Sequence, residues 1–261
     1  IETPFGKVED ALGGSAIYFS ISASFFYTNI RLVAVIGNDF PQEYIDLLKS
    51  KGIDLEGLER TDGKTFRWKG LYGYNLGGAK TLSTELNVFE NFVPKIPDSY
   101  KNAQYVFLAN INPELQLDVL KQIKNTKLVV CDTMNLWIAE RREKLLNTIK
   151  HVHILIVNDE EARQLTGEAK VDMAGRKILE LGPKRVIIKK GEHGAVTMTK
   201  DSYFSIPAYP LKSVVDPTGA GDSFAGGFMG YLASTHEISE QNIRRAMVYG
   251  TIMASFNVED F

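Results

Sequence analysis

The sequence predicts an α/β fold, in which a mainly parallel sheet carries helices on both faces and a small antiparallel β lid is appended. Short β-branched strand signals alternate with helical patterns along the chain, which is typical of right-handed strand–helix–strand crossovers. Two aromatic-rich segments with alternating polarity, residues 1–12 and 64–92, interrupt this order. They predict antiparallel strands that lie outside the main sheet.

Five strand signals are continuous apolar runs, as expected for strands that are buried on both faces. They lie at residues 31–37, 104–109, 127–132, 153–158 and 185–190. Helical patterns lie at residues 40–51, 113–124, 138–149, 171–181, 220–234 and 239–256. The segment Gly-Glu-His-Gly at 191–194 separates two β segments and predicts a hairpin.

Composition excludes several classes of protein. The 261 residues are 44% hydrophobic and 24% charged, which is ordinary for a globular chain and excludes disorder and fibres. A net charge of -2 implies no bulk attraction to nucleic acid or to an anionic membrane. The single cysteine, Cys131, cannot form an internal disulfide, which favours a reducing cytoplasm. We expect one domain over residues 1–261, with further residues missing at both ends.

The most informative segment is the glycine-rich turn at residues 216–222, Asp-Pro-Thr-Gly-Ala-Gly-Asp. Gly219 and Gly221 leave room for a ligand to approach the backbone, and the first amides of the following helix have no intrahelical acceptor, so an anion site is predicted. Asp222 would repel that anion, which suits a general base for a hydroxyl that attacks phosphorus. The alternative is a plain glycine loop with an acid favoured by the helix dipole.

Other candidate site residues can also be explained by a purely structural role. Asn158 and Glu161 have the spacing of a capping box. Asn110 and Asp132 follow strands at the edge where open α/β sheets bind ligands, but loop residues there can also be satisfied locally. The four histidines show no spacing typical of zinc ligands.

Five motifs, taken in order, closely resemble those of the ribokinase-like (PfkB) carbohydrate kinases. They are the pair Gly13-Gly14, Val-Ile-Gly-Asn-Asp-Phe at 35–40, Asn-Asp-Glu-Glu at 158–161, Gly-Glu-His-Gly-Ala at 191–195, and the segment 216–228. The resemblance covers nearly the whole chain. It implies a ribokinase-like fold with one kinase domain, of which segments 1–12 and 64–92 form the lid.

The resemblance also implies an ATP-dependent kinase that phosphorylates a hydroxyl of a small acceptor. Asp222 would be the base, and the amides of Gly219, Ala220 and Gly221 would stabilise charge on the phosphoryl group. The residues implied to bind the nucleotide are Asn158, Lys189, Gly191, Gly194 and Thr218. Those implied to bind the acceptor are Gly13, Gly14, Asn110 and Asp132.

Further expectations follow from the same resemblance. Glu161 would hold Mg²⁺ through water, and a monovalent cation such as K⁺ would lie beside residues 216–218. Family members often carry threonine at position 189, so Lys189 departs from their pattern. A homodimer formed through the lid is expected, with no nucleic acid or membrane as a partner.

We expect the acceptor to be a sugar, because polar groups at Gly13, Gly14, Asn110 and Asp132 suit its hydroxyls. A nucleoside kinase of the same fold is the alternative, with Trp68, Tyr72 or Tyr74 stacking on the base. A catalytically silent sugar- or nucleotide-binding regulator is the alternative from another class, and the intact Asp222 weighs against it.

Overall fold

The computed structural model describes residues 1–261. The strands are β1 (Glu2–Thr3), β2 (Gly6–Lys7), β3 (Ile30–Ile36), β4 (Ile53–Arg60), β5 (Arg67–Leu71), β6 (Lys80–Glu85), β7 (Tyr105–Leu108), β8 (Leu128–Asp132), β9 (Ile154–Asn158), β10 (Arg185–Lys189), β11 (Ala195–Met198) and β12 (Tyr203–Ile206). The helices are α1 (Ser15–Ser24), α2 (Gln42–Ser50), α3 (Pro113–Gln122), α4 (Asn135–Glu140), α5 (Arg142–Ile149), α6 (Asp159–Thr166), α7 (Val171–Glu180), α8 (Ala220–Thr235) and α9 (Glu240–Asn257).

The chain forms two compact units. The first comprises Ile1–Lys95, Pro210–His236 and Ile252–Phe261, and the second comprises Ile96–Tyr209 and Glu237–Thr251. Helix α9 therefore contributes its first turns to the second unit and its last turns to the first. None of the helices combines the length and the apolar composition needed to span a membrane.

The second unit is built on a six-stranded sheet with the order β12-β11-β10-β9-β8-β7. Strands β7 to β10 run parallel, and β11 and β12 continue the sheet antiparallel through the predicted hairpin. Strands β8, β9 and β10 are buried almost throughout, as the continuous apolar runs predicted. We did not predict β12, an edge strand whose residues alternate between exposed and half-buried.

Helices cover both faces of this sheet. On one face, Leu155 and Val157 of β9 share a core with Leu145 of α5 and Ile178 of α7. On the other face, Arg185 donates to the Thr197 hydroxyl and pairs with Glu240 at the start of α9. The fold class predicted from alternation is therefore confirmed for this unit.

The helix predicted over residues 138–149 was wrong in its continuity, because two helices occupy this segment. The backbone breaks at Arg141, where φ is -130° and ψ is 30°. The Arg141 amide still donates to the Trp137 carbonyl, and its own carbonyl accepts from the Leu145 amide. One residue thus ends α4 and begins α5, so the apolar periodicity continues across the break.

The first unit contains the predicted lid sheet, with the order β2-β1-β5-β6. The pairs β1–β2 and β5–β6 are antiparallel, but β1 runs parallel to β5 at Glu2 and Leu71. The sheet is therefore mixed, whereas we had predicted only antiparallel strands. The two hairpins come from separate segments, and no short turn constrains the direction in which they join. A second, two-stranded parallel sheet pairs β3 with β4, which we did not predict.

Helices α1 and α8 of the first unit pack closely through small residues. A Cβ atom at Gly226 would lie 2.4 Å from the Phe19 carbonyl oxygen, and one at Gly230 would lie 2.8 Å from that of Ala23. The Ser22 hydroxyl donates to the Ser223 carbonyl at 2.6 Å. The Gly226–Phe19 and Gly230–Ala23 contacts follow the same order along both helices, so the two N-termini lie at the same end.

Candidate active site

Residues 216–222, which we call the anion loop, form a tight turn into α8. The buried carboxylate of Asp216 accepts from the Thr218 amide at 2.9 Å. The Pro217 carbonyl accepts from the Ala220 amide at 3.2 Å. Gly219 lies in the left-handed region with φ of 78°, which favours glycine. The chain thus reverses within a few residues and presents the first turn of α8.

Tyr18 of α1 packs directly against this turn. A Cβ atom at Gly219 would lie 2.4 Å from the Tyr18 ring, so only glycine fits here. At Gly13, a Cβ atom would lie 3.7 Å from the Tyr18 hydroxyl oxygen. The structure therefore brings Gly13, from one predicted motif, and Gly219, from another, next to the same tyrosine.

Asp222 occupies the first turn of α8 and is half-buried. Burial, together with the charges of Asp216 and Asp222, raises the pKa of Tyr18 to about 12. Burial also raises the pKa of Tyr72, although the hydrogen bond from Thr218 opposes that rise. Both phenols are neutral at physiological pH, so each can donate a hydrogen bond beside the acids.

The amides at the start of α8 are not equivalent. Ala220 donates to Pro217, whereas the Gly221 amide donates to no backbone carbonyl at this helix start. The amide of Gly221 and the positive end of the helix dipole thus make this terminus suited to a negatively charged oxygen.

In the second unit, four predicted residues lie at the carboxyl edge of the parallel strands. Asn110 follows β7, while Asp132, Asn158 and Lys189 end β8, β9 and β10. The Lys189 ammonium lies 3.6 Å from Asp132 Oδ2, and both side chains are largely buried. We had grouped Asp132 with acceptor contacts and Lys189 with the nucleotide, and the structure places them together.

Asn158 and Glu161 form the capping box that their spacing allowed. Asn158 Oδ1 accepts from the Glu161 amide at 2.7 Å, and Glu161 Oε2 accepts from the Asn158 amide at 2.8 Å. Burial, and secondarily the charge of Asp132, raises the pKa of Glu161 to about 7, while Lys189 opposes the rise. The cap fixes the position of a carboxylate that is costly to ionise without a nearby cation.

Two buried polar atoms beside Asp132 lack a hydrogen-bond partner. They are the hydroxyl of Thr133 and the Oε1 atom of Gln116. The Gln116 amide nitrogen donates to the carbonyls of Asp132 and Ala109 at 3.0 and 2.8 Å. The Thr133 hydroxyl is thus a donor without a partner at the carboxyl edge of the sheet, next to Asp132.

The remaining predicted residues are engaged locally. Asn110 accepts from the Trp137 indole at 2.8 Å and contacts the Met134 sulfur at 3.1 Å. Gly191 and Gly194 border the hairpin with φ of 54° and 79°. A Cβ atom at Gly194 would lie 2.1 Å from the Ile206 carbonyl, whereas Gly191 has open space around it.

A family model described as pfkB family carbohydrate kinase matches residues 4–261. The chain belongs to this family. It is a phosphotransferase that acts on an alcohol group, and kinases of this family use ATP. The resemblance found in the motifs is therefore confirmed.

Individual relatives agree with the family. A cytidine kinase of Thermococcus kodakarensis is 34% identical over 87% of this chain and 82% of its own length. The crystal structure of a nucleoside kinase from Methanocaldococcus jannaschii, a ribokinase-family member, has a TM-score of 0.75 at 24% identity over 95% of this chain and 80% of its own. A putative ribokinase II from E. coli, solved with ATP and Mg²⁺, has a TM-score of 0.72 at 19% identity over 97% of this chain and 87% of its own. The structural likenesses show the ribokinase-like fold.

Sequence reasoning missed three side chains at the anion loop of this pfkB kinase. Tyr18 and Asn257 were not predicted, and Tyr72 was considered only for stacking. The Thr218 hydroxyl donates to the Tyr72 hydroxyl at 3.1 Å, and the Thr218 carbonyl accepts from the Asn257 amide at 2.6 Å. No local pattern identifies these partners, because they lie far from the loop along the chain.

Proposed function

We propose that this pfkB kinase transfers the γ-phosphoryl group of ATP to a hydroxyl of a nucleoside, with Asp222 as the general base. The observation that carries the proposal is Asp222 itself, an acid in the first turn of a helix whose N-terminus suits a phosphate. The acceptor class is supported by the cytidine kinase relative. A nucleoside carries a sugar ring, so the polar groups expected to bind the hydroxyls of a free sugar would bind the same hydroxyls on a nucleoside.

Asp222 would accept the hydroxyl proton as the acceptor oxygen attacks phosphorus. The Gly221 amide and the dipole of α8 would stabilise the transferring phosphoryl group. We also assign the backbone of Gly219 and Ala220 to this role. The Ala220 amide would either exchange its hydrogen bond to the Pro217 carbonyl for one to the phosphoryl group, or contribute only through the dipole of α8. The neutral Tyr18 phenol would orient the acceptor, because it lies beside both Gly13 and Gly219.

We assign ATP contacts to Asn158, Lys189, Gly191, Gly194 and Thr218. The open space around Gly191 and the charge of Lys189 support this assignment. The unpartnered hydroxyl of Thr133 adds a donor at the edge where Lys189 ends its strand. Lys189 would balance the phosphate charge together with the metal.

The residues at this edge fit Mg²⁺. The described chain has no cluster of three or more histidine, cysteine or acidic side chains that could form a closed metal cage. Mg²⁺ instead needs only one or two carboxylates, its own waters and the substrate phosphates. Glu161, with Asp132 near it, supplies that set, and a cation would offset the cost of ionising the buried Glu161. When bound, Mg²⁺ would neutralise charge on the triphosphate.

We assign acceptor contacts to Gly13, Gly14, Asn110 and Asp132, and the lid role to segments 1–12 and 64–92 of a single kinase domain. Among the lid aromatics, Tyr72 is our candidate for the nucleoside base, because its hydroxyl touches Thr218. The Trp68 indole donates to Thr81 and its ring covers Gly70, so it serves the lid sheet.

We further propose a homodimer formed through the lid. Strand β6 is one of the two edge strands of the lid sheet, and all its residues are exposed, Leu82 included. Exposed sheet edges favour pairing with another strand. Light scattering would show a dimer, and replacing Leu82 by lysine would shift the protein toward a monomer.

An acceptor screen tests the proposed function. Initial rates with ATP and Mg²⁺ would be measured for cytidine, adenosine, inosine, ribose and deoxyribose, with Asp222→Asn as the inactive control. We expect at least one nucleoside to exceed both free sugars in kcat/KM by about tenfold, a difference of about 1.4 kcal/mol. A free sugar that outperforms every nucleoside would overturn the acceptor and leave the kinase assignment intact.

A further inference from the structure

The anion loop is held by the end of helix α9 as well as by its own turns. The Val258 carbonyl accepts from the Val215 amide at 2.7 Å and from the Asp216 amide at 3.4 Å. One residue earlier, the Asn257 side chain donates to the Thr218 carbonyl at 2.6 Å. Asn257 at the end of α9 and Val258 just after it therefore contact the centre of the loop and the approach to it, respectively.

The orientation of the Asn257 amide is unambiguous. A backbone carbonyl can only accept a hydrogen bond, so the NH₂ group must face Thr218. The other end of the amide, Oδ1, accepts from the Ser223 hydroxyl at 2.9 Å. Asn257 thus joins the loop carbonyl to the first turn of α8, one residue after Asp222.

The resemblance to the family implied a monovalent cation beside residues 216–218, where several oxygens already accept hydrogen bonds from the chain. The Thr218, Pro217 and Val258 carbonyls all accept from N–H groups of the chain, and Asp216 Oδ1 accepts from Thr218. A monovalent cation needs several oxygen ligands in place of its water shell, so here it would have to share oxygens with these N–H donors. The N–H group of Asn257 also places partial positive charge beside the Thr218 oxygen, where it would repel a cation on that oxygen.

We propose that Asn257 is a positioning residue that holds the anion loop through the Thr218 carbonyl, so that loop order and turnover do not depend on a monovalent cation. This inference rests on the proposed role of the loop in phosphoryl transfer. The amide fixes the carbonyl of Thr218, the peptide plane that follows it and hence the direction of the amides at the start of α8. The loop therefore keeps its shape without an ion.

The test compares wild type with Asn257→Asp. Aspartate has nearly the same shape as asparagine, but it places a carboxylate oxygen instead of the NH₂ group against the Thr218 carbonyl oxygen. Turnover and melting temperature would be measured at constant ionic strength in KCl or in tetramethylammonium chloride, whose cation is too large to be coordinated. Ser255→Ala is the matched control, because the Ser255 hydroxyl bonds only within its own helix, to the Ile252 carbonyl.

We expect wild type and Ser255→Ala to have the same kcat and melting temperature in both salts. In tetramethylammonium, Asn257→Asp should lose about tenfold or more in kcat, as expected when a hydrogen bond becomes a repulsion. Its KM for ATP should stay within about threefold, a change of under 1 kcal/mol. Adding K⁺ should restore part of the rate and raise the melting temperature of this variant, because a cation can bridge the two oxygens.

Two results would overturn the inference. One is a wild-type enzyme that loses its activity or stability when K⁺ is replaced. The other is an Asn257→Asp variant that matches wild type in both salts. The melting temperatures do not depend on the acceptor, so they test the inference even if no nucleoside is phosphorylated and the proposed function fails.

Discussion

The ammonium group of Lys189 lies 3.6 Å from the carboxylate of Asp132, across the intervening strand β9. The same ammonium lowers the pKa of Glu161, whose buried carboxyl group is also close to Asp132. One lysine thus faces two acids at the carboxyl edge of the sheet. This arrangement concentrates charge where a nucleotide and a divalent cation are proposed to bind.

Replacing Lys189 by methionine should destabilise the protein in a pH-dependent way. Without the ammonium group, ionising Glu161 beside Asp132 costs more, and Glu161 ionises as the pH rises from 6 to 8. We therefore expect the loss in melting temperature to be larger at pH 8 than at pH 6, measured without nucleotide or Mg²⁺. Lys190→Met removes the same charge one residue later and serves as the control. Equal losses at the two pH values would remove Lys189 from this role.

Replacing Glu161 by glutamine should change the dependence of stability on pH. In the folded protein the pKa of Glu161 is about 7, against an ordinary value of 4.5. The native state therefore binds the proton more tightly, and the free energy of unfolding falls as pH rises between these values, by about 3 kcal/mol in total. Glutamine has no such titration but keeps an oxygen for the Asn158 amide.

Urea denaturation of both proteins between pH 4.5 and 8, without Mg²⁺, measures this difference. The unfolding free energy of Glu161→Gln should be flatter with pH and higher than that of wild type at pH 8. Two parallel curves would mean that Glu161 titrates near its ordinary value.

The same variant should bind Mg²⁺ less well. An amide carries no charge to attract the cation or its waters, so Glu161→Gln should need about tenfold more Mg²⁺ for half-maximal activity. Mg²⁺ titrations at saturating ATP measure this, and Glu160→Gln controls for a change of charge on the exposed side of the same helix turn. An unchanged Mg²⁺ requirement would leave Glu161 with the capping role alone.

Replacing Asp222 by asparagine should lower the rate of the chemical step by roughly 10³-fold, or about 4 kcal/mol of transition-state stabilisation. Nucleotide affinity should be kept or should rise slightly, because a charge that repels phosphate is lost. Single-turnover kinetics and calorimetric titration with an ATP analogue measure the two effects. A variant with near-normal turnover would exclude Asp222 as the base.

The two glycines of the 191–194 hairpin should differ in their tolerance of a side chain. Gly194→Ala places a Cβ atom 2.1 Å from the Ile206 carbonyl at a φ of 79°, so backbone must shift. We expect it to cost about 3 kcal/mol or more, whereas Gly191→Ala meets open space and should cost about 1 kcal/mol for the strained φ alone. Thermal unfolding of the pair measures the difference. Equal losses would show that the close packing at Gly194 does not limit stability.

Much of the fold could be predicted because its signals are local. Apolar periodicity over a few residues identified the strands and helices of the second unit, and Gly219 with Asp222 identified the anion loop. The capping box could also be predicted, since Asn158 and Glu161 lie within one helical turn. Interactions of this range depend only on the immediate backbone conformation, which the sequence determined by itself.

Only the tertiary structure decided which distant residues complete each site. Asn257 bonds to Thr218 from 39 residues away, and Tyr72 does so from 146 residues away. The parallel pairing of β1 with β5 and the approach of Lys189 to Asp132 are likewise products of strand order. A periodic pattern states which face of an element is buried but not which element covers it. That choice is made by the packing of the whole chain, because a long-range contact must offset the entropy lost when the loop between its residues is closed.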